Sequence, residues 1–116
     1  MKNQRQTGSE AEQTACTWLE AKGYRLRARQ FFSRWGELDL IMQDEETLVF
    51  IEVKMRRSAR FGSPLEAVTA RKQQRLTRSA QAYLLQHPHQ GPLRFDVVGI
   101  VMEAGQPRLS HVQNAF

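Results

Sequence analysis

Residues 36–56 read GELDLIMQDEETLVFIEVKMR. Two apolar runs flank the polar turn Gln43–Thr47, which is the pattern of a β-hairpin. Asp39, Glu52 and Lys54 interrupt those runs, where a strand packed on both faces carries Val, Ile and Leu. Alternation along a strand puts Glu37 and Asp39 on one face and Leu38, Leu40 and Met42 on the other. In the second run Val49, Ile51 and Val53 share a face, opposite Leu48, Phe50, Glu52 and Lys54. The first half of that run is apolar on both faces, so the strand is expected to be covered on both sides. Ionised groups at the end of such a strand cost several kcal/mol unless they are paired or bound to a metal.

Asp39 and Glu52 lie side by side only if they oppose each other across the hairpin, which a turn of two or four residues permits. Without Gly or Asn in Gln43–Thr47, the four-residue loop Asp44–Thr47 is expected. Two adjacent carboxylates repel, and a divalent cation removes the repulsion. Hard oxygen ligands, with positions left for water and phosphate oxygens, suit Mg²⁺ or Mn²⁺. Lys54 points the same way, two residues on, where it can hold a water or steady charge on a phosphate. The alternative is an Asp39–Lys54 or Glu52–Lys54 ion pair at the sheet end, and spacing alone leans that way.

Upstream, Ala11, Ala15, Trp18 and Leu19 recur at helical spacing, which predicts a helix over 8–22 with Gly23 as its stop. Glu12 begins the apolar stripe and is therefore a candidate third carboxylate. Ser9 and Glu12 also fit a capping box, and the pattern does not choose between the two readings. Strands are predicted at 24–32, 37–42, 48–54, 94–102 and 108–112. Ser63-Pro64-Leu65-Glu66 reads as a helix start, and Thr69 as the cap of a second helix to about Gln86 that buries Leu76, Ala80, Tyr83 and Leu84. The order α-β-β-β-α-β-β describes an α/β chain of the α+β kind, a mixed sheet with helices packed on it. One domain over 1–116 is expected, with residues 1–7 flexible. His87, His89 and His111 read as surface residues, and Trp35 as a packing residue beside the hairpin.

Seventeen Lys and Arg against twelve Asp and Glu leave a net charge of +5 and a pI near 10.0. That balance favours a polyanionic partner such as nucleic acid. The candidate phosphate contacts are Arg34, Arg56, Arg57, Arg60 and Lys72, which cluster around the charged hairpin and the helix after it. No apolar stretch approaches the ~20 residues of a membrane helix, and the polar start MKNQRQTGSE lacks a secretory apolar region. Cys16 stands alone, which excludes an internal disulfide and argues against a structural zinc cluster. A cytoplasmic protein without a membrane partner is expected.

Four separated motifs carry a family resemblance: G-E-L-D-L-I (36–41), F-I-E-V-K-M-R (50–56), F-G-S-P-L-E-A-V-T-A-R-K (61–72) and R-F-D-V-V (94–98). In this order, and from TGSEAEQTACTWLEAKGY at 7–24 to the terminal NAF, the chain resembles the YraN family of small bacterial proteins. That family is similar to restriction-endonuclease-like nucleases, particularly archaeal-type Holliday junction resolvases. The resemblance implies a mixed sheet flanked by helices and a D…E-x-K metal site at Asp39, Glu52 and Lys54, joined by Glu12 from the first helix. It further implies a Mg²⁺- or Mn²⁺-dependent DNA endonuclease acting on phosphodiester bonds, selective for strand structure, with Glu12, Asp39 and Glu52 on the metal and a homodimer as the working unit. Glu37 belongs to the family's G-E-[IL]-D signature but not to the general nuclease motif, and its role is open. The competing functions are a non-catalytic nucleic-acid-binding module and an accessory subunit of DNA repair or uptake.

Overall fold

Among the described residues, seven elements follow one another in the predicted order: α1 (Gln4–Glu20), β1 (Arg25–Ser33), β2 (Gly36–Asp44), β3 (Thr47–Arg56), α2 (Ala70–Gln86), β4 (Leu93–Glu103) and β5 (Gln106–Val112). The computed structural model describes residues 4–56 and 68–116, with side chains from residue 8 onward. The expected helix start at Ser63–Glu66 and the arginines Arg57 and Arg60 lie outside the described residues. Helix α1 begins ahead of Gly8, so Ser9 is an interior residue and cannot act as the N-cap of a capping box. Gly23, at φ 99°, makes the left-handed turn that ends the helix, and the Tyr24 N–H donates back to the Leu19 carbonyl at 3.1 Å. Thr69 caps α2 as expected, its hydroxyl oxygen accepting from the Lys72 N–H at 3.2 Å, an arrangement worth about 1 kcal/mol.

The strands form one mixed sheet in the order β1-β2-β3-β4-β5. Only the β3–β4 pair is parallel, and α2 lies in the connection between its strands. β3 is covered on both sides, as its double apolar pattern requires. Val49 and Ile51 pack with Ala11, Ala15, Cys16 and Leu19 of α1, while Leu48 and Phe50 pack with Leu76, Ala80 and Tyr83 of α2. This is an α+β mixed sheet flanked by helices, consistent with a restriction-endonuclease-like fold.

Two expectations for the hairpin change in detail. The ladder runs one pair further than expected, to Asp44↔Thr47, and leaves a loop of only Glu45 and Glu46. Glu45 adopts φ 54° without being Gly or Asn, and its carbonyl accepts from Gln43 Nε2 at 2.9 Å. The second change concerns β2, where Leu40 and Met42 pack under α1 but Leu38 packs under α2. Strict alternation would have kept all of them on one face. The cause lies on the neighbouring strand: Gln30, at φ 51°, falls between the pairs Arg29↔Leu40 and Phe31↔Leu38 and so faces Asp39. A non-glycine residue in that conformation turns the strand locally, and the face of β2 changes at Asp39.

A polar network holds β4, β5 and the end of α1 together. Asp96 is fully buried and accepts from Arg94 Nε at 2.9 Å, Arg94 Nη2 at 3.0 Å and the Asn114 N–H at 3.2 Å. His111 Nε2 lies 2.7 Å from the same carboxylate, and its ring meets those of Trp18 and Tyr24 edge-on. His111, expected at the surface, therefore turns inward; its ring nitrogen needs the Asp96 oxygen and its flat faces fill space beside Trp18. Burial alone raises the Asp96 carboxyl, but the bonds from His111 and Arg94, the Arg94 charge and the Asn114 N–H together hold it below 3.8. A carboxyl depressed by folding stabilises fully above its unfolded pKa and loses that contribution as pH falls through the folded value. Asp96→Asn should leave the Arg94 guanidinium only the longer Asp44 contact at 3.4 Å as an ion pair and cost roughly 3 kcal/mol at neutral pH, with a flatter acid limb than wild type. Urea melts across the acid range test this, and a variant as stable as wild type at neutral pH contradicts it.

Candidate metal centre

Past Leu40↔Ile51 the β2–β3 ladder stops. The next bond between these strands comes from a side chain: the Val53 N–H donates to Asp39 Oδ2 at 2.8 Å. The register still brings Asp39 in line with Glu52, but the strands have lost their ladder here and the gap is lined with carboxylates. Glu12 reaches it from α1. Its side chain is only 6% exposed; Oε2 accepts weakly from Gln30 Nε2 at 3.4 Å, and Oε1 has no hydrogen-bond partner among the described residues. The change of face at Asp39 turns Glu37 the same way. One carboxylate oxygen each from Glu12, Glu37 and Asp39 lie within 4.8 Å of one another.

Glu52 has different company. Its Oε1 is 3.2 Å from Lys54 Nζ and 2.8 Å from Lys72 Nζ, the latter projecting from the first turn of α2. Burial, then the neighbouring Glu52 charge, pushes the Asp39 carboxyl up to about 8, against the pull of the Val53 N–H. Burial also raises Glu12, with Glu37 and Glu52 adding to the effect. Burial and the adjacent Lys72 lower Lys54; burial also opposes the charge of Lys72, but the contacts with Glu52 and Lys54 and the charges of Glu52 and Asp39 together raise it. Glu37, Asp39 and Glu52 form a partition between two hollows. The larger, about 940 Å³, opens beside α1 and is lined further by Glu12, Lys54 and Arg56. The smaller, about 390 Å³, opens beside the start of α2 and is lined by Trp35, Arg71, Lys72 and Arg75.

Comparison with known proteins agrees with this arrangement of motifs along the chain. The model of a family described as "Uncharacterised protein family UPF0102" matches residues 11–100. This chain belongs to the UPF0102 family. A UPF0102 protein of Nitrosococcus oceani is 47% identical over 114 residues, covering 97% of this chain and 92% of its own. One from Syntrophomonas wolfei is 46% identical over 113 residues, covering 97% and 98%. Another, from Symbiobacterium thermophilum, is 49% identical over 114 residues, covering 97% of each. The YraN resemblance read from the motifs is thereby confirmed.

Within this UPF0102 chain the structure brings Glu12, Asp39, Glu52 and Lys54 to one place, from a helix and two strands. It also supplies the Glu52–Lys54 pair that spacing alone suggested, and extends it to Lys72. Lys72 was expected on phosphates, and its contact with Glu52 had no signal in the sequence because α2 reaches the sheet only after the crossover. Arg56 lines the larger hollow, and Arg34 stacks on the Trp35 ring at 4.7 Å, where Arg78 also lies at 4.5 Å. Among the described residues no helix is long and apolar enough to cross a membrane.

The Asp39 shift has a thermodynamic consequence. Its folded carboxyl stays protonated up to about 8, while the unfolded one ionises near 3.8, so rising pH favours unfolding across that interval. Asn at this position keeps a carbonyl acceptor for the Val53 N–H and removes the titration. Asp39→Asn should therefore melt in EDTA at or above the wild-type temperature, with the difference growing as pH rises from about 5 to about 8. A variant that melts well below wild type throughout would make Asp39 an ion-pair partner.

Proposed function

We propose that this chain is a divalent-metal-dependent endonuclease that hydrolyses phosphodiester bonds of DNA, selecting by strand structure as the resolvases it resembles do. The observation that carries this reading is the buried Glu12 carboxylate, one oxygen unpartnered among the described residues, drawn close to Asp39 and Glu37. Like charges gathered in a half-buried gap oppose folding, so their presence argues for a ligand that neutralises them. The donors are hard carboxylate oxygens beside a hollow of about 940 Å³, which suits Mg²⁺ or Mn²⁺ with room for a phosphate. Glu12 and Asp39 would hold the cation, with Glu52 in line with Asp39 on β3 and lining the same hollow. Such a cation, when bound, would supply Lewis acidity toward a phosphate oxygen and make a nearby water more acidic.

The chain's own residues orient the substrate. Lys54 lines the hollow, steadied by Glu52, and is available to donate to a phosphate oxygen. Lys72 does the same from the α2 side. In the reaction an O–P bond forms to water as the ester P–O bond breaks, leaving a phosphate monoester and a free hydroxyl. Arg34, Arg56, Arg57 and Arg60 would hold the flanking backbone, in keeping with the net charge of +5. A homodimer would offer one such site to each strand of a duplex.

A second reading, a nucleic-acid-binding module without catalysis, draws on Glu52, whose pairing with Lys54 and Lys72 needs no cation. Incubation with linear, branched and single-stranded DNA separates the two. The nuclease reading expects cleavage in Mn²⁺ and none in EDTA, abolished by Asp39→Asn while DNA binding persists. Binding without cleavage under every condition supports the module instead. In either case, replacing Arg56 and Arg57 by Ala should weaken binding to all sequences alike. The log–log salt slope should flatten by about 0.9 for each phosphate that the variant leaves un-neutralised, and a sequence-dependent weakening would indicate base contacts.

A further inference from the structure

We propose that Glu37, rather than Glu52, completes the cation site with Glu12 and Asp39, so that the cation sits on the α1 side of the carboxylate partition. The inference rests on the metal-dependent reading above and concerns which acid does the binding. Among the described residues, the acidic side chains that bring an oxygen within 4.8 Å of one another are Glu12, Glu37 and Asp39. They come from a helix and two positions on one strand, and the larger hollow is lined by all of them.

Glu12 supplies an independent observation. It is more than nine-tenths buried, lines the same hollow, and carries an oxygen without a hydrogen-bond partner among the described residues. A buried acceptor left in that state costs free energy, and a cation between it and its neighbours supplies the missing partner. The backbone points to Glu37 as the next ligand. Regular alternation would set Leu38 under α1 with Leu40, yet Leu38 packs under α2. The turn at Gln30 and Asp39 that moves Leu38 away swings Glu37 toward Glu12. The conformation at Gln30 is one that a non-glycine residue adopts at a cost, and its side chain is the donor that holds Glu12 Oε2.

Glu52 is the acid that the D…E-x-K pattern would assign, and its charge does bear on Asp39. Its Oε1, however, already serves Lys54 at 3.2 Å and Lys72 at 2.8 Å. Its charge balances those two ammonium groups, and its oxygens fall outside the group gathered within 4.8 Å, which is Glu12, Glu37 and Asp39. Glu52 thus neutralises and positions the two lysines, and Glu37 takes the direct ligand place. Three carboxylates of this kind favour a hard, oxygen-loving cation over zinc.

Mn²⁺ binding, read by calorimetry on the intact chain without DNA, tests this apart from any cleavage. Glu37→Gln should raise the Mn²⁺ dissociation constant by at least about 10- to 100-fold, the range that even outer-shell partners command. Glu52→Gln should raise it less. If Glu37→Gln fails to fold, Glu37→Asp keeps the charge but draws it back, and it too should weaken binding. Wild-type affinity in either Glu37 variant, or a larger loss in Glu52→Gln, overturns the assignment and leaves the nuclease reading standing. A wild-type protein that binds no Mn²⁺ overturns both.

Discussion

Where the β2–β3 ladder ends, Asp39 accepts the Val53 N–H at 2.8 Å and joins the strands by a side chain in place of backbone. At 2.8 Å this bond takes the place of a ladder bond, and the strands stay in register while the pleat opens. The rest of the site depends on that opening. It lets Glu12 enter from one side and Lys72 from the other, and it leaves Glu37, Asp39 and Glu52 lining both hollows. A continuous ladder would have filled this space with apolar side chains, as it does at Leu48 to Ile51.

Asp96, fully buried, and Asp39, half-buried, have carboxyls that folding shifts in opposite directions. Asp96 is surrounded by donors, from Arg94, His111 and Asn114, and folding holds its carboxyl below the ordinary value. Asp39 has a backbone donor but several acidic neighbours, and folding pushes its carboxyl up to about 8. Both lie on the same sheet, and in both burial opposes the charged form. The neighbours differ, and with them the sign of the shift. The two carboxyls lie within one residue of the same level of the sheet, Asp96 beside Ile51 and Asp39 in line with Glu52, so the surroundings and not the position along the strands set the difference.

The fold makes this division possible at small size. One sheet with a helix on each face gives two separate apolar cores, joined through β3. Those cores carry the stability, so the edge where the strands part can hold groups that oppose folding. Lys54 and Lys72 limit the cost there by pairing with Glu52, while Glu12, Glu37 and Asp39 bring an oxygen each within 4.8 Å of one another.

Local pattern carried much of this. Helical spacing in α1, the double apolar face of β3, the Thr69 cap and the β-branched run of β4 are short-range properties, and they determine element type and order wherever the structure is described. The parity of the hairpin turn was legible too, which is why Asp39 and Glu52 were expected in line, and the D…E-x-K spacing marked three of the charges in the gap. Tertiary structure decided the rest. Which way Glu37 faces depends on a left-handed residue, Gln30, on another strand, and no pattern within β2 records it. That Lys72 reaches Glu52 depends on where the crossover delivers α2, and that His111 turns inward depends on an aspartate on a neighbouring strand. Alternation tells a residue which side of its own strand it occupies; only the twist between strands tells it which neighbours it meets there.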